Sequence, residues 1–593
     1  MEAISKPPMV RSPCFVFEIP ATPDAPTGPL AERQGRLAAT PAYNCQHGTE
    51  GDFELLVWGD VYRGETRLGW LEVARSLARS SLATAVTDWD GSFFVLCLDH
   101  KAKTAMAVSD ITASRKVFFL ADRRGLRMSD SPAGLGPLDG EVDPAGLAEY
   151  LLNGCAVGLR TVYSGVRLFP AASVASLSAS GAHFSQYWSF QPDDALEGRP
   201  KTTLVRELAD LLDAAIRNRA RRIPAPVLIS LSGGYDSTCL LGSLLRVRGA
   251  DEIVAFSYAH DPRQTRTDAA VARETCARLG VRHETVAMPS LCASELVRRN
   301  AAQGFAAANL CSEIGVWDGL TQRLRLSEPR PYCLFGDNAF GHDPNYRLET
   351  TDEILRWLPL AGTSAFASIG ELIPPERRAA CRTAYAEACR ETLDQAAKVG
   401  DVHRRRDFLY FSHRVVNVLL PWRNFFCAVS VEPVEPLLDK SLLDYFQHLP
   451  YSARRARTLY KKAVRFLHPE MLSRRRAVFY GCEVNLLALL QADAAAVAAR
   501  LRDLPRPLQE WLAADALVHL LARIRSGSPP HESALRSFLK VCLKGRAATE
   551  LWRRFRAPRP FRPGLAEVLI RAAVVGDALH VVTQKREQVP AKS

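Results

Sequence analysis

The chain has 593 residues, 47% of them hydrophobic and 24% charged, with a formal net charge of +12. Those figures describe an ordinary globular protein of roughly two to four domains and exclude a disordered or fibrous chain. No run of about 18 apolar residues predicts a membrane span. The N-terminus, Met1 to Pro8, lacks the apolar core of a signal peptide. Fourteen cysteines without a C-x-x-C pair fit reduced thiols, so a cytoplasmic location is expected. The last 93 residues hold 17 Lys and Arg against 8 Asp and Glu. No nucleic-acid motif accompanies that charge; it reads as a solvated, arginine-rich face, and no nucleic-acid partner is expected.

In chain order, residues 1–190 predict a β-rich domain. Phe53 to Trp58, Ser92 to Leu98, Lys116 to Leu120 and Val174 to Leu177 are short apolar or alternating runs. Helical patterns stand between them at Trp70 to Ser80 and Pro144 to Leu152. The sum predicts an α/β/β/α sandwich with antiparallel sheets. Residues 191–202 form a polar, Pro- and Gly-containing linker. Residues 203–480 open on an amphipathic helix, Thr203 to Arg222, and then alternate strand and helix. Pro226 to Ser230, Ile253 to Tyr258 and Glu284 to Ala287 are the strands; Asp268 to Leu279 is a helix. That alternation predicts a parallel, doubly wound sheet with its ligand at the C-terminal strand ends. From about 345 onward the pattern is mostly helical, and residues 481–593 form a basic, mainly helical extension.

Leu231-Ser232-Gly233-Gly234-Tyr235-Asp236-Ser237-Thr238 joins the first of those strands to a helix. A helix N-terminus offers free N–H groups and a positive dipole, which together seat an anion. The glycines let the backbone approach phosphate oxygens. Asp236 adds a carboxylate that repels phosphate unless a cation lies between, which implies Mg²⁺. The lysine of a Walker-type loop is missing. Ser-Gly-Gly-x-Asp-Ser resembles instead the pyrophosphate loop of ATP pyrophosphatases.

The order of several further segments resembles the asparagine synthetase family over nearly the whole chain. Trp58-Gly59-Asp60-Val61-Tyr62, Asp90 to Phe94, Ser109 to Phe119 and Tyr187-Trp188 are similar to its glutaminase domain. Phe335-Gly336-Asp337-Asn338-Ala339-Phe340-Gly341 and Ser430 to Asp439 are similar to its synthetase domain. The resemblance implies an Ntn-hydrolase-like sandwich followed by an adenine-nucleotide α-hydrolase-like (ATP pyrophosphatase) domain. It departs at the amidase. The family's glutaminase uses an N-terminal cysteine, whereas residue 2 is Glu and Cys14 is the nearest cysteine. Trp58 replaces the oxyanion-hole asparagine. The first domain is therefore expected to be catalytically inactive. Two glutaminase-free branches are similar: β-lactam synthetases and the macrolactam synthetases of lasso peptides. Leu334 stands where the β-lactam branch has a catalytic tyrosine, which favours the lasso reading.

The resemblance implies an enzyme that consumes ATP to AMP and pyrophosphate. A side-chain carboxylate of a precursor peptide is adenylated, and the peptide's N-terminal amine displaces AMP. A leader-processing protease is the partner that such a pathway implies. The alternative is a glutamine-independent amide or β-lactam synthetase acting on a small molecule; a binding scaffold is a third reading. By the resemblance, Ser232, Gly233, Gly234, Asp236 and Ser237 hold the phosphates. Leu231, Ser257, Tyr332 and Cys333 contact adenine, and Asp236 and Asp337 hold Mg²⁺. Lys461 and Arg476 stabilise the second step. His283 reads as structural, and His342 as a residue near the substrate.

Overall fold

The computed structural model describes residues 13–21, 36–39, 44–77, 79–136, 138, 140–340, 350, 353–355, 358, 360–472, 477, 481–526 and 563–584. In the first part, Phe53–Arg63 pairs antiparallel with Asp90–Asp99, from Phe53 opposite Asp99 to Tyr62 opposite Asp90. Successive strand residues point to opposite faces. Leu56, Trp58, Phe94 and Leu96 pack against Phe15, Phe17, Leu126 and Met128 of a second sheet. Leu55, Val57, Phe93 and Val95 pack instead with Val73, Ala74 and Leu77 of the helix Trp70–Leu77. On the far side, Phe118 and Leu120 of the second sheet share a cluster with Leu147 and Leu151 of the helix Pro144–Asn153. The layers run helix, sheet, sheet, helix, as the alternation of apolar residues predicts.

The second part builds a parallel sheet in the order Arg282–Ala287, Ile253–Ala259, Val227–Ser230, Tyr332–Leu334, Glu432–Val434. Val227, Ile229, Ala255 and Leu334 face the helices Lys201–Arg222 and Tyr235–Leu244. Leu228, Val254, Phe256 and Cys333 face Val316, Trp317 and Leu320 of the helix Ile314–Leu324. Burial on both faces is why these strands read as continuous apolar runs. The chain extends the sheet to one side of Val227–Ser230, then returns to place Tyr332–Leu334 on the other. The strand order therefore reverses between those two strands, and a ligand crevice opens at such a reversal.

One element departs from the sequence expectation. Glu432–Val434 lies within the region predicted to be helical, yet it is the fifth strand. It has three residues and contains Pro433, which lacks a ladder donor and is confined to sheet edges. It does form the edge. Beyond Val402–Leu409 the chain winds wider than an α-helix, as π-helix over Tyr410–Leu419 and again over Arg423–Cys427. The helix Leu565–Gln584 packs its Val568, Leu569, Ala572 and Val575 into the same cluster as Leu147 and Leu151. Among the described residues no helix is long and apolar enough to cross a membrane.

Candidate functional site

The site begins where Val227–Ser230 ends. Helix Tyr235–Leu244 starts at once, with Gly234 as its N-cap and no side-chain cap hydrogen bond. Ser237 ties the loop back: its Oγ accepts from Ser232 N at 3.1 Å and donates to Ser232 O at 2.9 Å. Ser232 Oγ accepts from Gly234 N at 3.3 Å, and Gly233 N donates to Asp268 Oδ1 at 3.1 Å. A Cβ at Gly233 would stand 3.0 Å from Val271 Cγ1, so the loop is pressed onto the next helix. A Cβ at Gly336 would stand 2.9 Å from Asp236 Cβ. The loop after Tyr332–Leu334 is thus laid against the start of helix Tyr235–Leu244, which brings Asp236 and Asp337 together across the reversal of strand order.

Each carboxylate has an arginine. Arg423 donates to Asp337 Oδ2 at 2.7 Å and Oδ1 at 3.3 Å, and Arg457 pairs with Asp236 Oδ1. Burial opposes the charge on both arginines, but the carboxylates outweigh it and hold both guanidinium pKa values above the ordinary range. Tyr410, on the π-wound stretch, stands near Arg414, Arg457, Asp337 and Asp236, and burial pushes its phenol up. A cavity of about 40 Å³ lies between the two parts of the chain, lined by Asp60, Ser92, Thr112, Arg219 and Glu435 among others. Burial, then the Asp337 carboxylate, pushes Glu435 up to about 8.

The sequence-predicted residues fall as follows. Ser232, Gly233, Gly234, Asp236 and Ser237 form one loop, and Asp337 joins them. Leu231 N donates to Phe256 O at 2.9 Å, and Ser257 Oγ donates to Leu231 O at 2.6 Å, so these two are adjacent. Tyr332 opens its strand rather than ending it, and its hydroxyl donates to Asp60 Oδ1 at 3.3 Å in the first part of the chain. Cys333 is buried on the opposite face of the sheet, because alternate strand residues diverge. Lys461 Nζ donates to Ala456 O at 2.8 Å. His283 Nε2 lies 3.1 Å from Ser257 Oγ, and burial, with Arg273 adding, pushes it down to about 4. Arg476 and His342 lie outside the described residues.

Sequence reasoning missed Asp268, Tyr410, Arg423, Arg457 and Glu435. Arg423 and Arg457 stand 86 and 221 residues from their carboxylates, so no local motif announces them. Only the two carboxylates, whose charge needs a counterion once it is drawn out of water, signal that cations must converge there.

Fold and site together define a mixed α/β protein whose parallel sheet reverses its strand order between Val227–Ser230 and Tyr332–Leu334. Residues 207–300, which carry the first loop, match the family model described as Asparagine synthase. No curated protein matches the chain. Among solved structures the chain is similar to one described as the structure of the allosteric regulatory enzyme of purine biosynthesis, at 8% identity and a TM-score of 0.17, covering 40% of this chain and 60% of that one. It is similar also to glutamine phosphoribosylpyrophosphate amidotransferase from B. subtilis complexed with ADP and GMP, at 9% identity and a TM-score of 0.17, covering 42% of this chain and 50% of that one. The chain thus spans 60% and 50% of those two structures, and likenesses of that size bear on neither fold nor activity.

Proposed function

We propose that this chain is an ATP-dependent carbon–nitrogen ligase that closes a macrolactam ring of the lasso-peptide kind. A side-chain carboxylate of a precursor peptide attacks the α-phosphorus of ATP, which is a substrate here, and pyrophosphate leaves. The peptide's N-terminal amine then displaces AMP. The observation that carries this reading is the convergence of Asp236 and Asp337 beside a helix N-terminus that no side chain caps. The Asparagine synthase match over 207–300 supports the coarser statement, an ATP-dependent amide-forming ligase.

The residues fit Mg²⁺. Among the described residues no group of three or more His, Cys, Asp or Glu is placed to hold a metal. Mg²⁺ asks for less: one or two carboxylates, with phosphate and water completing its shell. Asp236 and Asp337 would hold it, and it would supply neutralising charge between carboxylate and phosphate. The backbone of Gly233 and Gly234 and the hydroxyls of Ser232 and Ser237 would orient the pyrophosphate. Lys461 and Arg476 would meet the charge that develops as AMP leaves.

The test is ATP–pyrophosphate exchange with candidate precursor peptides. The parent should exchange only with a cognate peptide, and Asp236→Asn should lose about 100-fold or more. Exchange by that variant at the parent's rate would sink the proposal. Exchange driven by a small carboxylate, and by no peptide, would favour the small-molecule amide or β-lactam reading.

A further inference from the structure

Two adjacent residues at the edge of the site adopt left-handed backbone without being glycine: Ala456 at φ 53° and Arg457 at φ 57°. A Cβ crowds the following carbonyl there, so such a turn persists only where its surroundings hold it. What it presents is the guanidinium of Arg457, paired with Asp236 and 4.6 Å from the Tyr460 ring. The arginine is buried to 7% exposure. The Ala456 carbonyl of the same turn accepts from Lys461 Nζ at 2.8 Å. The other ion pair is built differently: Arg423 reaches Asp337 from ordinary helical backbone, at φ −62°. Of these two pairs, it is the one at Asp236 that a strained turn holds.

We propose that Arg457 is a stand-in cation, which neutralises Asp236 until a divalent cation bound to a polyphosphate takes its place. The inference rests on the reading of Asp236 as a carboxylate that holds Mg²⁺. Arginine does not lose its proton in a protein, so Arg457 can leave only by displacement. Its guanidinium is then free to fork onto the arriving phosphates, for which its geometry suits it. Release also unloads the Ala456–Arg457 turn. Lys461 is tied to the carbonyl of that turn, so its ammonium is handed over in the same movement. One strained turn thus links occupation of the first loop to the availability of the cation assigned to the second step.

The experiment uses the full chain without nucleotide and Mn²⁺ alone as the probe, with free Mn²⁺ followed by electron paramagnetic resonance. Arg457→Gly removes the guanidinium, and glycine adopts the left-handed backbone freely, so the turn persists. Arg457→Gly should bind Mn²⁺ at least tenfold more tightly than the parent, and adding Asp236→Asn should remove that gain. Arg457→Gln, which keeps donors and loses charge, should also gain, so the result does not hang on one variant. Equal Mn²⁺ affinity in the parent and both Arg457 variants overturns the stand-in role. If Asp236→Asn alone still loses Mn²⁺–ATP binding in that case, the proposed function survives. A double variant that keeps the gain overturns both, because Asp236 would then not be the ligand.

Discussion

Cys14 is fully buried, and its N–H donates to Asp130 Oδ1 at 2.8 Å. Trp58 fills the space beside it, 6.2 Å from the Phe15 ring and 5.7 Å from the Arg115 guanidinium. A thiol enclosed in this way is a core residue. Cys14→Ala should leave product formation unchanged, and glutamine should not stimulate it; glutamine-dependent ammonia release lost in that variant would restore an amidase. At the other site, Lys461→Ala should slow the second step more than the first. The adenylated peptide should then accumulate in a quenched reaction and be visible by mass spectrometry. Loss of both steps together would move Lys461 to nucleotide binding. The loop from Leu231 to Thr238 was legible because strand, turn and helix N-terminus are contiguous and each leaves its own residue signature. Arg457 was not, since its role depends on a carboxylate 221 residues away and on a backbone angle that no composition encodes.

Elements were legible where period and burial agree. The helix Pro144–Asn153 has Asp143 as its cap, accepting from Gly146 N, and it ends on Gly154 at φ 78°. It nonetheless carries Glu149 inward, at 1% exposure. Burial pushes that carboxyl up to about 8, against the Val157 N–H that it accepts. A raised carboxyl favours the protonated folded form. Its contribution to stability is whole below about 4.3, the unfolded value, and is lost as pH rises through about 8. Glu149→Gln should remove this pH dependence, which is about 4 kcal/mol between pH 5 and pH 8. Urea unfolding at pH 5 and pH 9 measures it: the parent should lose more stability than the variant between those values. Equal losses would mean that Glu149 is ionised in the fold. The strand Glu432–Val434 shows the opposite limit. Its place at a sheet edge comes from pairing with Tyr332–Leu334, a hundred residues upstream in register, while its own three residues and Pro433 argue against a strand.

At the scale of the molecule, the division into antiparallel layers and a parallel sheet was legible from alternation against continuous apolar runs. The joints between them were not. Arg115 pairs with Glu432, and Arg219 reaches Asp90 at 2.6 Å, each linking the first part to the second. Arg571 does the same from the end of the described chain. It is 1% exposed, and it donates to Leu151 O at 3.0 Å, Leu152 O at 3.1 Å and Asn309 Oδ1 at 3.2 Å. Arg571→Ala leaves those buried carbonyls without their donor and should cost roughly 2–4 kcal/mol. Hydrogen exchange should quicken in 144–153 as well as in 565–584; unchanged protection of 144–153 would deny the link. The helix Leu565–Gln584 that carries Arg571 has a consequence for how the protein is made. The cluster around Leu147 and Leu151 draws on residues as far apart as Phe118 and Val582. A ribosome has therefore delivered all three sheets long before the last wall of that cluster emerges. Until then the nascent chain carries an apolar helix face turned to water, and its guard against aggregation must come from a chaperone or from speed.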